Sequence, residues 1–298
     1  MKEIGFIGLG KMGSRMALRL LRAGNRLYVN DTVKAAAEPL MAEGAVFAEK
    51  PCDLCGHADY IFLSIPNAAA LKEVVCGEKG ILEKAEPGLI IVDLSTIDPK
   101  SSAEVNEKIT ARGCSFLRAS VTGSTAYAEA GTLGIMASGD REVYEELLPL
   151  LQVLSSRQRY LGEGEQARFM KICINMMLGT TMQMLAESLV LGEKAGIDWN
   201  MMIECICDSA AAPDIVKAKE KALKERDFSA MATSRMMEKD MNIAMELARD
   251  YELCLPLAAV SRQFYNAMRG NGLGDIDYSG LVLLNEKLDG LKAMDYKS

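Results

Sequence analysis

Residues 3–31 open with Glu3-Ile4-Gly5-Phe6-Ile7-Gly8-Leu9-Gly10-Lys11-Met12-Gly13, continue through a stretch of helical character, and close on Leu27-Tyr28-Val29-Asn30-Asp31. The order is strand, glycine turn, helix, strand, acid. Gly8, Gly10 and Gly13 fill the pattern G-x-G-x-x-G. Each has a mechanical reason to be glycine: a tight turn, room for backbone to approach a pyrophosphate, and close packing of helix on strand. The helix that follows aims its N-terminal amides and positive dipole end at a bound anion. Asp31 stands 18 residues beyond Gly13, where a carboxylate accepts hydrogen bonds from an adenosine ribose. Alone, the glycine pattern is often only a turn. With strand, helix and acid in order it reads as a dinucleotide site covering Gly8, Leu9, Gly10, Lys11, Met12, Gly13, Asn30, Asp31 and Thr32. The plainer alternative is a βαβ unit whose glycine turn holds nothing.

Working outward, the chain alternates β-rich and helical runs up to about residue 160. Strands are expected at Ile4–Ile7, Arg26–Val29, Tyr60–Leu63, Leu89–Asp93, Ser115–Arg118 and Leu133–Ala137. Helices fit at Met12–Ala23, Val33–Ala42, Asn67–Val75, Ser101–Ala111 and Glu142–Leu151. That alternation predicts an α/β, doubly wound, mainly parallel sheet. After Gly164 the strands stop. A long helix is expected from Arg168 to Lys194, then helices near 199–209, 213–224, 230–250, 256–270 and 278–291, so this half reads as all-α. The glycine-rich stretch Leu161–Gly164 places the boundary at 163/164. The polar tail Met294–Ser298 is expected to fray.

A net charge of −7, with no basic run, argues against nucleic acid or anionic membrane as a partner. No apolar run reaches the roughly 18 residues of a membrane span. The first strand begins close to Met1, which leaves no space for a signal peptide, so a soluble cytoplasmic protein is expected. The eight cysteines do not form a secreted disulfide pattern, and Cys173, Cys205, Cys207 and Cys254 read as reduced, buried small hydrophobes. Cys52 and Cys55 with His57 offer three ligand types in six residues, but no second pair follows at zinc spacing, and no metal is expected. The methionine clusters Met176-Met177, Met182/Met184, Met201-Met202 and Met236-Met237 read as core and helix-interface packing.

In a doubly wound sheet, ligands bind beyond the carboxyl ends of the strands. The single histidine, His57, precedes a strand and so sits at the wrong end; a satisfied surface role is preferred. No G-x-S-x-G elbow is present to build a nucleophilic triad. A proton donor for a hydride-transfer reaction must then be lysine, tyrosine or an acid. Lys171 lies in Phe169-Met170-Lys171-Ile172-Cys173-Ile174, and an ammonium among such neighbours is either paired or desolvated, which lowers its pKa. Asn175 follows four residues on and leaves the same helix face, ~6 Å along the axis. The alternative is a lysine snorkelling from a half-buried helix.

With these motifs in order, the chain resembles the 3-hydroxyisobutyrate dehydrogenase, or β-hydroxyacid dehydrogenase, family over nearly its full length. The stretch Gly5–Ala17 is close to the family's cofactor fingerprint, and Asp93-Leu94-Ser95-Thr96-Ile97-Asp98-Pro99 resembles its second cofactor-side loop. Ala119–Ser124 with Gly131-Thr132-Leu133 resembles its substrate loop. Lys171 with Asn175 falls on its catalytic-lysine motif, and Phe228 followed by Lys239-Asp240 on its late helical motif. The resemblance implies a Rossmann domain for NAD or NADP (1–163), joined by a long helix to an all-helical domain (164–298) like that of 6-phosphogluconate dehydrogenase, which completes the substrate cleft and makes subunit contacts. It implies Lys171 as general acid–base and Asn175 as its orienting partner. A small carboxylic-acid substrate would sit on Thr122, Gly123 and Ser124. Ile65, Pro66 and Thr96 would line the nicotinamide side, with Lys239 reaching the cofactor. The implied reaction interconverts a short β- or γ-hydroxy acid and its semialdehyde, in a homodimer or homotetramer.

Several positions depart from the family pattern. The substrate loop usually reads acid-Ala-Pro-Val-Ser-Gly, and here it is Arg118-Ala119-Ser120-Val121-Thr122-Gly123. Arg118 reverses a charge, with solvent exposure the simple explanation, and Ser120 loses a proline's stiffness. Lys-x-x-x-Asn without a second asparagine looks more like the glyoxylate and succinic-semialdehyde reductase branch. NADP-using relatives commonly carry Asn-Arg-Thr where this chain has Asn30-Asp31-Thr32; a carboxylate repels a 2′-phosphate, so NAD is favoured. The alternative there is Asp31 facing water while Lys34 or Arg15 takes a phosphate. Two other functions remain open: an imine reductase-like enzyme, against which Lys171 speaks, and a dinucleotide-binding protein with little turnover.

Overall fold

The computed structural model describes residues 1–291 and 295–298. It resolves into two compact units, Met1–Lys171 and Ile172–Ser298.

In the first unit the elements run β1 (Glu3–Ile7), α1 (Gly13–Arg22), β2 (Arg26–Asn30), α2 (Glu38–Ala42), β3 (Val46–Phe47), β4 (Tyr60–Leu63), α3 (Ala68–Cys76), β5 (Ile90–Asp93), α4 (Pro99–Thr110), β6 (Ser115–Thr122), α5 (Thr125–Ala130), β7 (Leu133–Ser138), α6 (Arg141–Leu154) and β8 (Ser155–Tyr160). The sheet order is β3-β2-β1-β4-β5-β6-β7-β8. All pairings are parallel except β6 with β7. The central strands are continuous apolar runs because both faces are covered. Ile4, Phe6, Phe62 and Val92 pack on the α1 and α6 side. Their alternating neighbours Ile7, Ile61, Leu63 and Ile91 pack on the α3 and α4 side. Position 5 is glycine where Leu54 and Ile61 crowd the strand.

Six expected strands are present, and β6 runs on to Thr122. Two strands and one α-helix were not anticipated, β3, β8 and α5, nor were the 3₁₀ turns Pro51–Leu54 and Ile81–Glu83. The expected helix Val33–Ala42 is instead a 3₁₀ turn, Lys34–Ala37, leading into α2, with Pro39 near its start.

α7 (Gln166–Lys194) is one unbroken helix, and the division between units falls within it, after Lys171. The second unit continues with α8 (Trp199–Asp208), α9 (Asp214–Lys224), α10 (Ser234–Asp250), α11 (Pro256–Gly270) and α12 (Leu281–Leu288). Its core joins Leu185 and Leu189 of α7 to Ile203, Val216, Met241, Tyr265 and Leu281. Tyr265 Oη donates to Gly179 O at 3.1 Å, a close approach that a side chain at 179 would block against Met237, Met241 and Tyr265. Two buried ion pairs brace this unit: Arg226 bidentate with Glu286 at 2.7 Å, and Lys219 with Asp277 at 2.8 Å.

Each methionine cluster splits rather than packing whole. Met182, Met202 and Met237 are buried while Met184, Met201 and Met236 are exposed, because helical neighbours point to different faces. Cys207 is buried, but Cys173, Cys205 and Cys254 are exposed on their helices and loop, correcting the buried reading. The expected fraying of the tail is corrected at Lys297, which is tied on both sides: its amide donates to Arg226 O and its carbonyl accepts from Phe228 N. Met294 lies outside the described residues.

Candidate active site

The glycine turn after β1 shows why each residue is small. Gly8 has φ +92°, and a Cβ there would meet the Ser64 carbonyl. A Cβ on Gly13 would run into the Gly8 carbonyl, so α1 can start against β1 only without a side chain. Gly10 differs: a Cβ there would meet nothing within 4 Å. Its smallness serves no neighbour within the protein, and it leaves exposed backbone open to a ligand. The first turn of α1 has no side-chain cap and no acidic residue, which leaves its dipole end to an outside anion.

Asp31 is joined to this turn. Its Oδ2 accepts from Leu9 N at 2.6 Å and its Oδ1 from Val33 N at 2.7 Å. A carboxylate offers about four lone-pair positions, so acceptor capacity remains for ribose hydroxyls. Asp31 therefore does not simply face water. The two cations that could have served a 2′-phosphate are engaged elsewhere. Lys34 pairs with Glu49 at 2.6 Å over the Phe47 ring, and Arg15 donates to Lys11 O beside Glu129. Asn30 is buried, donating to Ala48 O at 2.9 Å, and Thr32 is exposed.

The turns after β4, β5 and β6 lie at the same carboxyl edge of the sheet as the glycine turn. Ile65 N donates to Ser95 Oγ at 2.8 Å, which ties the Ile65-Pro66 turn to the Thr96 turn. Asp98 caps α4 through Ser101 N at 2.7 Å. Thr122 and Ser124 are half-buried, and Gly123 is exposed with φ +126°.

Behind these turns sits a charged network that sequence reasoning missed. Arg168, fully buried, donates to Asp93 Oδ2 at 2.6 Å, Ser95 O at 2.7 Å and Ser102 Oγ at 3.2 Å. Arg118 is 4% exposed and hydrogen-bonds Glu165, so the solvent-facing explanation is corrected. Burial pulls the Arg118 guanidinium below its usual pKa, and Glu165 opposes that shift. Removing one partner of such a pair costs about 3–5 kcal/mol, because the other charge is left buried. The available signal was the one applied to Lys171: a cation, Arg168, set among apolar residues of the same helix.

Lys171 is half-buried on α7, and Asn175 follows one turn later, 6% exposed. In the second unit Asn175 Nδ2 donates to Asp240 Oδ2 at 2.5 Å, and Lys239 Nζ lies 3.2 Å from Asp240 Oδ1. Phe228 belongs to the core there, with no exposed surface.

His57 is exposed and stacks on Tyr28, with ring centroids 5.0 Å apart, in the surface role expected of it. Cys55 donates to Ile81 O, and burial pushes its thiol up to about 11, the wrong direction for a metal-ligating thiolate. Among the described residues no group of three or more His, Cys, Asp or Glu is placed to hold a metal, and no helix is long and apolar enough to cross a membrane.

Two family descriptions match end to end: the NAD binding domain of 6-phosphogluconate dehydrogenase over residues 3–164, and the NAD-binding domain of NADP-dependent 3-hydroxyisobutyrate dehydrogenase over 165–284. Among curated relatives, 2-(hydroxymethyl)glutarate dehydrogenase of Eubacterium barkeri is 34% identical over 290 residues, covering 97% of this chain and 96% of that protein. Glyoxylate/succinic semialdehyde reductase 1 of Arabidopsis thaliana is 31% identical over 280 residues, covering 94% and 97%. The crystal structure of a 3-hydroxyisobutyrate dehydrogenase from Salmonella typhimurium superposes with a TM-score of 0.88 at 25% identity, covering 95% of this chain and all of that one. A dinucleotide-binding sheet followed by a helical unit defines an NAD(P)-dependent oxidoreductase. More narrowly, the chain belongs to the β-hydroxyacid dehydrogenase family, whose relatives act as hydroxyacid dehydrogenases and semialdehyde reductases.

Proposed function

We propose that this protein transfers hydride between NAD and a short β- or γ-hydroxy acid, or its semialdehyde, with Lys171 as general acid–base. The nicotinamide supplies or accepts the hydride when bound. Residues 1–163 hold the cofactor on Gly8–Gly13, Asn30–Thr32, Ile65, Pro66 and Thr96, and residues 164–298 form the helical domain that the family motifs assign to substrate and subunit contact. The substrate carboxylate rests on Thr122, Gly123 and Ser124, partly on backbone amides. Lys171 takes the hydroxyl proton during oxidation and returns it during reduction. Asn175 orients the lysine and the reacting oxygen, and the late helical motif assigns Lys239 to the cofactor.

The observation that carries this reading is the Asn175–Asp240 hydrogen bond. It uses one of the two N–H donors of the amide one turn from Lys171 and turns the acceptor oxygen away from Asp240. That arrangement suits an ammonium or a hydroxyl. The NAD preference is supported by the carboxylate of Asp31 on the glycine turn and by the prior engagement of Lys34 and Arg15.

A homodimer or homotetramer is part of the proposal. On α7, Met177, Met184 and Leu191 recur every seven residues and are 67%, 56% and 74% exposed, a stripe that a second chain would cover. A monomeric mass in solution would contradict it.

The decisive experiment is a panel of two- to six-carbon hydroxy acids and semialdehydes run with NAD and NADP, beside Lys171→Ala. At least one acid should be turned over, and the variant should lose about 100-fold or more in turnover while NADH affinity stays within about threefold. No turnover across the panel, or full turnover in the variant, would remove the reading.

A further inference from the structure

β6 is supported unevenly. Its pairing with β5 stops at Arg118, level with Asp93, whereas Ala119–Thr122 pair only with β7. The substrate-loop half of the strand therefore projects past the parallel sheet, braced on one side. Arg118, Ser120 and Thr122 share one face of it by the two-residue alternation. That face also carries Phe116, whose ring lies 5.0 Å from the Arg118 guanidinium and 6.0 Å from that of Arg168.

Both arginines lead to the start of α7. Arg118 reaches Glu165, whose carbonyl accepts from Arg168 N at 2.9 Å in the first turn. Arg168 reaches back to Asp93 and Ser95 at the end of β5. Ala167 N donates to Ser138 Oγ at 3.1 Å, adding β7 to the same knot. Ser120 Oγ is buried without a hydrogen-bond partner, so the loop serine contributes no tether of its own.

The geometry points to a positioning clamp: Arg118, Glu165 and Arg168 hold the substrate loop Ala119–Ser124, the Ser95-Thr96 turn and the first turn of α7 as one rigid piece. The reversed charge at 118 is answered by Glu165, 47 residues away. The clamp acts on the reaction through Lys171, three residues past Arg168, and so rests on the acid–base reading of that lysine.

The test uses the full chain, with kcat, substrate KM, NADH affinity and melting temperature measured for Glu165→Gln, Arg168→Lys, Arg118→Glu, Glu165→Arg and the charge swap R118E/E165R. A misplacement on the order of 1 Å costs up to about 100-fold, so Glu165→Gln and Arg168→Lys should each lower kcat by about tenfold or more and raise substrate KM. NADH affinity should stay within about twofold, since the glycine turn and Asp31 are untouched. The swap should restore kcat to within about threefold of the parent. Folded Glu165→Gln and Arg168→Lys enzymes with unchanged kcat and KM would overturn the clamp. A swap that restores melting temperature but not kcat would do the same, reducing the pair to a structural one. If the single charge reversals do not fold, Glu165→Gln and Arg168→Lys decide. Added methylamine should restore turnover to Lys171→Ala and leave the clamp variants unchanged. A fully active Lys171→Ala enzyme would remove the lysine reading alone, while the swap result would still judge the clamp.

Discussion

Asn175 Nδ2 and Asp240 Oδ2 stand 2.5 Å apart, joining α7 to α10 through a charge-assisted hydrogen bond between residues 6% and 8% exposed. A bond of this kind contributes about 1.5–3 kcal/mol and fixes which end of the amide is free. Asp240→Asn should therefore lower kcat by about tenfold to 100-fold while NADH binding changes little. Steady-state rates and a fluorescence titration with NADH read the two quantities separately. Unchanged kcat in a folded variant would refute the orienting role.

Asp31 is expected to set cofactor choice. The parent should show at least about tenfold higher kcat/KM with NADH than with NADPH, since a 2′-phosphate would meet a carboxylate. Asp31→Arg should reverse that order. A parent enzyme tenfold better with NADPH would contradict the assignment.

Gly10 and Gly13 should separate binding from folding. Gly10→Ala adds a methyl where nothing lies within 4 Å, so melting temperature should hold while NADH affinity weakens by about tenfold, or 1.4 kcal/mol. Gly13→Ala drives a methyl onto the Gly8 carbonyl and should cost about 2 kcal/mol or more of stability. Thermal melts beside cofactor titrations distinguish the outcomes, and equal effects at both positions would refute the distinction.

Cys55, raised by burial to about 11, should resist alkylation at pH 8 while exposed Cys173, Cys205 and Cys254 react. The unfolded thiol ionises near 9.0, below the folded one. The group's contribution to stability is therefore complete below that pH and lost as pH rises from about 9 to 11. Peptide mapping after alkylation checks the first statement and denaturation at pH 8 and 10.5 the second; fast labelling of Cys55 at pH 8 would contradict both.

The β1–α1–β2 unit was legible in the sequence because strand, glycine turn and helix are local and contiguous. β8 was not, because Ser155-Ser156-Arg157-Gln158-Arg159-Tyr160 is a polar edge strand paired only with β7. Its residues carry no apolar alternation. β3 is two residues long, too short for any period to register. The turns that carry the proposed cofactor residues could be located from strand ends alone. Arg118 could not be understood that way: its explanation, Glu165, is distant in sequence and meets it only in the folded unit. Asp240 was read within a motif, but its hold on Asn175 depends on how α10 packs.

The one-sided bracing of β6 has a bearing on how such enzymes diversify. The segment proposed to meet the acid hydrogen-bonds to a reversed neighbour, whereas the segment proposed to meet the dinucleotide belongs to the parallel strands. Substitutions at the loop's tip, beyond the clamped Arg118, leave the glycine turn and Asp31 untouched, so preference for a new acid can drift while the hold on the dinucleotide's adenosine end stays fixed.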